Sequence, residues 1–506
     1  MLRDRKLAVL AAASLLVRVA FIFTHCIDSD EPQHLHVAWA WSRGLVQYRD
    51  VFDNHFPLLH LLFAPLMRVM PESSAVFILA RFAMLPIAIA CSYFVYCIAA
   101  PRIGERKAAI AAITFSVMPP WLPKSVEFRN DTLWIFFWLA MLALLARRDY
   151  FWSGVSAALC LLASVKALPL FLAMLCGAAP ALGRRVLRDW LTMLSALGRR
   201  VLRDRLAMLS AAEGGRRSTA LVACGFAIPL IAAALFFSSY HALHDMLYAT
   251  LFFNASLPVH AARRIGGAVA FAAVAPLAFR RANVAIWYCV VMLCFWPSIG
   301  PRDFLPLVPL AAIALANTRI PAIALFVVAT GASLWCLEPG DRSRQQFVDA
   351  AVRLTTPDEY VFDLKGNAVF RRRPIRSIYD IVGRSLFRND GAPAQIVARR
   401  CCVAIGDMSH IPPATRAFLN QHFVDIGPLR VCGSVARDGA FTIAIPQTYA
   451  VLAPDPARVT IDGAPYRGPR FLAAGRHTLA AAGPVTVIWW RAVPGPAPGT
   501  YVKGAV

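Results

Sequence analysis

The stretch KLAVLAAASLLVRVAFIF, Lys6 to Phe23, followed closely by Asp28-Ser29-Asp30-Glu31, decides how the chain is read. Its length and apolarity suit a membrane-crossing helix, because the hydrocarbon core takes roughly 20 mostly apolar residues per span. The basic start at Arg3, Arg5 and Lys6 mimics a secretory leader, but no small-residue cleavage site follows the apolar part. The run therefore reads as a retained first span, and the three carboxylates stand at its exit.

Working outward, the same pattern fills most of the chain. Hydrophobic residues make up 58% of the 506 positions and charged residues 16%, which excludes a soluble globule. Apolar runs at about 7–27, 74–99, 107–122, 132–146, 151–164, 167–181, 218–239, 265–279, 284–299, 304–317 and 320–337 predict about eleven transmembrane helices within residues 1–337. The stretch 151–181 is interrupted by Lys166 and Pro169, and charge decides its reading as two spans. A single span would put the loop 182–217, with nine arginines against Asp189, Asp204 and Glu213, outside, contrary to the positive-inside tendency. That loop contains a 15-residue tandem repeat, Ala181 to Asp189 recurring from Ala196, which reads as a basic amphipathic helix on the cytoplasmic surface.

Much of the net charge of +23 lies in such short loops, so its implied partner is anionic membrane lipid and not nucleic acid. The N-terminus is expected in the cytoplasm of a multi-pass cytoplasmic (inner) membrane protein. Residues 28–73, 123–131, 240–264 and 300–303 and the tail are expected outside. Past Glu338 the composition turns to Arg, Asp, Gly and Pro with short strand-like runs. Residues 338–449 predict an α/β region, with a helix near Gln345–Leu354 and a strand at Tyr360–Asp363, and 450–506 a small β-sandwich-like region with a loose end. The expected fold class is thus a polytopic α-helical membrane protein with a soluble C-terminal α/β plus β-sandwich tail. Nine of twelve cysteines lie in or at the ends of apolar segments. Cys401, Cys402 and Cys432 fall in the tail, where Cys432 has two possible disulfide partners.

Polar groups concentrate in the first outer loop: Asp28, Asp30, Glu31, His34, His36, Asp50, Asp53, Asn54 and His55. Leu35, Val37, Trp39, Trp41, Val51, Phe52 and Phe56 interleave with them, so the loop packs against something. A carboxylate held there suits proton transfer from a hydroxyl, and Asp28, Asp30 and Glu31 are the candidate ligands of a divalent cation. Pro57 to Val69 reads as a short interfacial helix. A second group, Lys124 to Asp131, precedes the fourth span; Asn130 or Asp131 suits a helix cap as well as a site. Lys166 sits between two short spans, where an ionisable group is a functional candidate or snorkels to the interface. The spacing of His241, His244, Asp245 and His260 admits a metal but contains no paired HxxxH, and no P-loop or nucleophile elbow is present.

Asp30-Glu31, Ala40, Gly44, Tyr48-Arg49-Asp50 and Phe52-Asp53-Asn54-His55-Phe56-Pro57-Leu58 resemble the first periplasmic loop of the GT-C glycosyltransferases, including the protein O-mannosyltransferases and the lipid A aminoarabinose transferases. The resemblance extends to Arg129-x-Asp131, to Lys166, and to Arg302 before Asp303-Phe304-Leu305-Pro306, where the family has Arg-Tyr-x-Leu-Pro and Asp303 is expected to pair with Arg302. It implies inverting transfer of a sugar from a polyprenyl-phosphate donor to an extracytoplasmic lipid, glycan or protein acceptor. By the same resemblance Asp30 is the base, with Glu31 and Asp131 as further catalytic carboxylates, and His55, Arg129, Lys166, Arg302 and Asp53 bind donor and phosphate. One departure stands out: many members have Lys-Pro-Pro where this chain has His55-Phe56-Pro57. The competing classes are a lipid-linked saccharide transporter, for which the sequence lacks clear internal symmetry, and an inactive glycan-binding relative.

Overall fold

The computed structural model describes residues 4–175, 201–256, 269, 284–296, 299–380, 387, 391–436 and 439–493, the side chains of 201–216, 294 and 295 excepted. The first helix, α1 (Arg5–Thr24), is capped by Asp4, whose carboxylate accepts from the Lys6 and Leu7 amides at 3.1 and 3.4 Å. Next come α2 (Glu31–Ser42), α3 (Leu58–Met67), α4 (Ala75–Ile103), α5 (Glu105–Val117), α6 (Trp121–Val126), α7 (Asn130–Ala146) and α8 (Tyr150–Ala163). The later helices are α9 (Val201–Ser239), α10 (Val284–Phe295), α11 (Leu307–Ala316), α12 (Ala322–Trp335) and α13 (Ser343–Leu354).

Among the described residues, α1, α4 and Arg217–Ser239 of α9 are long and apolar enough to cross a membrane, and α3, α7, α8, α10, α11 and α12 contribute shorter apolar helices. The expected run 107–122 is divided, because Pro119 and Pro120 lack amide hydrogens and the chain turns between α5 and α6. The expected span 265–279, Val269 excepted, and most of the repeat-bearing loop, together with His260, lie outside the described residues. Close packing of α8 on α9 depends on two glycines. A Cβ on Gly154 would stand 2.1 Å from the Val222 carbonyl oxygen, and one on Gly225 the same distance from that of Phe151. Small residues let helix backbones approach in this way where no hydrophobic effect drives association. Arg18, within α1, is buried and donates to the Ser116 carbonyl at 2.7 Å and to the Ser125 hydroxyl, tying α1 to α5 and α6.

The segment between α1 and α4 is itself partly helical. Glu31 and Pro32 occupy the first turn of α2, where a negative charge and a missing amide are both favourable, and Gly44 at φ +77° turns the chain away after its end. Every residue of α2 from Glu31 to Ala40 is buried, including His34 and His36.

In the tail, the larger sheet runs β1 (Val361–Phe362), β2 (Val403–Ile405), β4 (Leu429–Ala436), β11 (Val485–Trp489), β6 (Gln447–Leu452), β9 (Arg470–Leu472), with β3 (Phe423–Ile426) also on β4. β1 and β2 are parallel and the other pairs antiparallel. A second sheet orders β5 (Ala440–Ile443), β10 (Gly475–Ala480), β7 (Thr460–Ile461) and β8 (Ala464–Pro465). Both sheets draw strands from either side of residue 450, since β11 inserts between β4 and β6 and β10 pairs with β5. A disulfide joins Cys402 to Cys432, leaving Cys401 buried and free. The tail docks on the segments before α4 and after α9 through Arg371 to Glu72 at 2.7 Å, Asp349 to Ser74 at 2.7 Å and Arg376 to Asp245 at 2.9 Å.

Candidate active site

Four segments converge where α1 ends: the start of α2, the link from α6 to α7, the turn at Pro301–Phe304 and the loop after β1. Their carboxylates have distinct surroundings. Glu31 is fully buried against Arg81 of α4, which reaches it with Nε at 2.9 Å and Nη2 at 2.5 Å, while the Phe128 amide donates to it at 2.9 Å. Asp28 pairs with Arg129 and lies 3.8 Å from Lys124. Asp30 alone of the three is ringed by cations from three other segments: Arg129 Nη2 at 2.6 Å, Arg302 Nη1 at 3.4 Å, and Lys365 Nζ. Its side chain keeps 20% of its exposure. Burial pushes the Asp30 carboxyl upward, but the charges of Arg129 and Lys365 outweigh it and hold the group well below the usual carboxylate range.

Arg129 is saturated. Besides Asp28 and Asp30 it has Asp131 at 3.3 Å and Glu127 at 3.8 Å. Lys166 lies between Asp131 at 2.9 Å and Asp303 at 3.1 Å. Asp303 thus serves Lys166 and the Gly300 amide, at 2.8 Å, and Arg302 is left to Asp30; the expected pairing of adjacent residues gives way because their side chains leave the turn in different directions. Glu127 accepts from Lys124 at 2.7 Å and contacts His25 at 3.1 Å.

Beneath Asp30 lies a chain of buried polar rings. His34 Nδ1 meets His60 Nε2 at 2.9 Å, and His60 Nδ1 faces Gln47 at 3.2 Å. Asp53 accepts from Gln33 at 2.7 Å and Gln47 at 2.9 Å and pairs with His55 Nδ1 at 2.8 Å. Burial drives His34 well below its ordinary value and His60 down to about 4, so both rings are neutral at pH 7. For Asp53 burial acts upward, and His55, His60 and Gln33 together more than offset it.

The residues expected to form the site therefore meet in one place, with Glu31 turned into its pair with Arg81 and Asp53 lying under His55. Lys365, Arg81 and His60 were not anticipated. Histidines 241 and 244 lie apart from this cluster, and Asp245 is taken by Arg376. For a divalent cation the donor set does not fit: the carboxylates that would ligate it are committed to guanidinium and ammonium groups. Among the described residues no group of three His, Cys, Asp or Glu side chains is arranged to hold a metal.

No family model matches the chain, and no curated protein matches it in sequence. Its fold does have solved counterparts. ArnT from Cupriavidus metallidurans in the apo state overlays with a TM-score of 0.51 at 12% sequence identity, covering 98% of this chain and 100% of that one. The chain has the GT-C fold of that structure. The crystal structure of the same ArnT bound to undecaprenyl phosphate overlays with a TM-score of 0.50 at 12% identity, over 96% and 99% of the two chains. The GT-C fold thus accounts for nearly the full length here, membrane helices and tail together.

Proposed function

We propose that this chain is a membrane glycosyltransferase that moves a sugar from a polyprenyl-phosphate carrier to an extracytoplasmic acceptor, with inversion at the anomeric carbon. The carrier class is supported by the undecaprenyl phosphate bound to the ArnT structure of the same fold. The observation that carries the reading is Asp30, a partly exposed carboxylate beneath the tail and ringed by cations. The disulfide in the tail supports an oxidising, extracytoplasmic side for this site.

In the reaction an acceptor hydroxyl gives its proton to Asp30 as its oxygen attacks the anomeric carbon. The bond from that carbon to the phosphate oxygen breaks, and the electron pair leaves with polyprenyl phosphate. Negative charge grows on the phosphate during this step, so fixed cations around it lower the barrier. Asp131 and Asp303 hold Lys166, and Asp131 together with Asp28 and Glu127 holds Arg129, giving the site a rigid floor. His55 is kept in place by its pair with Asp53.

A radiolabelled polyprenyl-phosphate sugar incubated with membranes tests the assignment. Asp30→Asn is expected to lower transfer about 100-fold or more, the range lost with a general base. Equal transfer by both proteins eliminates Asp30 as the base.

A further inference from the structure

The cations around Asp30 differ in how many carboxylates they already serve. Arg129 has four within 4 Å, Lys166 two and Lys124 two. Among the described residues, Arg302 and Lys365 pair with no carboxylate except Asp30. A guanidinium has five N–H donors and an ammonium three, so these two keep donors to spare. An incoming phosphodiester brings one negative charge and needs donors not already committed.

Lys365 is also held firmly for a residue on a loop of the tail. Asp363 accepts from the Gly366 amide at 2.7 Å, from the Ala368 amide at 2.8 Å and from Arg373 at 2.8 Å. His36 of α2 bonds the Val369 carbonyl at 2.9 Å. Gly366, at φ +102°, lies so near α2 that a Cβ there would stand 2.7 Å from the His36 side chain. The loop is thereby seated on the helix that begins next to Asp30, and the Lys365 side chain retains 9% exposure.

We infer that Lys365, a residue of the soluble tail, joins Arg302 in binding the phosphate of the polyprenyl donor, and that both exchange Asp30 for that phosphate when the donor arrives. The inference rests on the proposed transferase reading and adds to it a place for the tail in the donor site. Its consequence is a timing device. With the donor absent, the cations keep Asp30 a weak base; once they turn to the phosphate, the carboxylate loses positive neighbours and gains proton affinity as the acceptor is to be deprotonated.

The test is equilibrium binding of radiolabelled undecaprenyl phosphate to the purified full chain in detergent, with undecaprenol as the phosphate-free control. Lys365→Met is expected to weaken undecaprenyl phosphate about tenfold or more, the loss of one charge-assisted contact, while leaving undecaprenol unchanged and Lys365→Arg retaining most affinity. The deciding measurement repeats Lys365→Met in an Asp30→Asn background. If Lys365 serves merely to neutralise Asp30, its loss there has no effect on binding, and that result overturns the inference. If it contacts phosphate, the loss persists. Lys365→Gln takes the place of Lys365→Met if size exclusion shows that variant misfolded. A wild-type chain that fails to bind undecaprenyl phosphate overturns the transferase reading itself, which separates the two failures.

Discussion

Glu31 and Asp30 are adjacent in sequence, yet their substitution should have opposite consequences. In Glu31→Gln the shape is kept and the charge removed, leaving Arg81 buried at 1% exposure without its counter-charge. Removing one partner of a buried pair costs about 3–5 kcal/mol. The guanidinium retains the carbonyls of Ile22 at 3.1 Å, His25 at 2.8 Å and Cys26 at 2.6 Å, which places the loss near the lower end, about 3 kcal/mol. Asp30→Asn takes the one carboxylate from Arg302 and Lys365 but leaves Arg129 three others, and the position keeps 20% exposure, so its cost should stay below that of Glu31→Gln. Thermal unfolding in detergent, followed by tryptophan fluorescence alongside sugar transfer, separates the two. Glu31→Gln should melt several degrees lower and retain transfer in the fraction that stays folded, whereas Asp30→Asn should melt above Glu31→Gln and fail to transfer. A Glu31→Gln protein with wild-type melting and no transfer would refute the division of labour drawn from the geometry.

Two further outcomes follow from the structure. Thiol labelling of the denatured chain should find two additional reactive cysteines after reduction, and Cys402→Ala should lower tail stability by about 3–4 kcal/mol for a loop closed across 30 residues; unchanged labelling would contradict the Cys402–Cys432 bond. His60 falls from an ordinary 6.5 to about 4, so below pH 6.5 the unfolded chain takes up a proton that the folded chain refuses, and up to about 3 kcal/mol of stability is lost as pH falls toward 4. His60→Gln should flatten the fall in melting temperature between pH 7 and 5, and an undiminished fall would refute it.

How much of this was legible in the sequence follows from the range of the forces involved. Apolar run length depends on neighbours in the chain, so the membrane class and the polar segment after the first helix could be read directly. The convergence of Asp30, Arg129, Asp131, Lys166 and Arg302 was reached through short dispersed motifs, by resemblance. What escaped depends on contacts across the fold. Nothing near Glu31 announces that Arg81, fifty residues on, takes its charge. The sheet's order, with β11 between β4 and β6, is likewise a matter of pairing and not of local pattern. Lys365 looks in sequence like any lysine before a glycine at a turn, and its meaning comes from the ring of hydrogen bonds on Asp363 and the close approach of Gly366 to His36.

The meeting of Lys365 with Asp30 also sets an order of events during biogenesis. The two residues are 335 positions apart. At roughly 5–20 residues per second, the ribosome needs between about 20 s and a minute to pass from one to the other. Throughout that interval the segment that carries Asp30 waits without its roof. The last part of the constellation arrives with the tail, so a chain stalled just after Trp335 holds the floor of the site and lacks its ceiling.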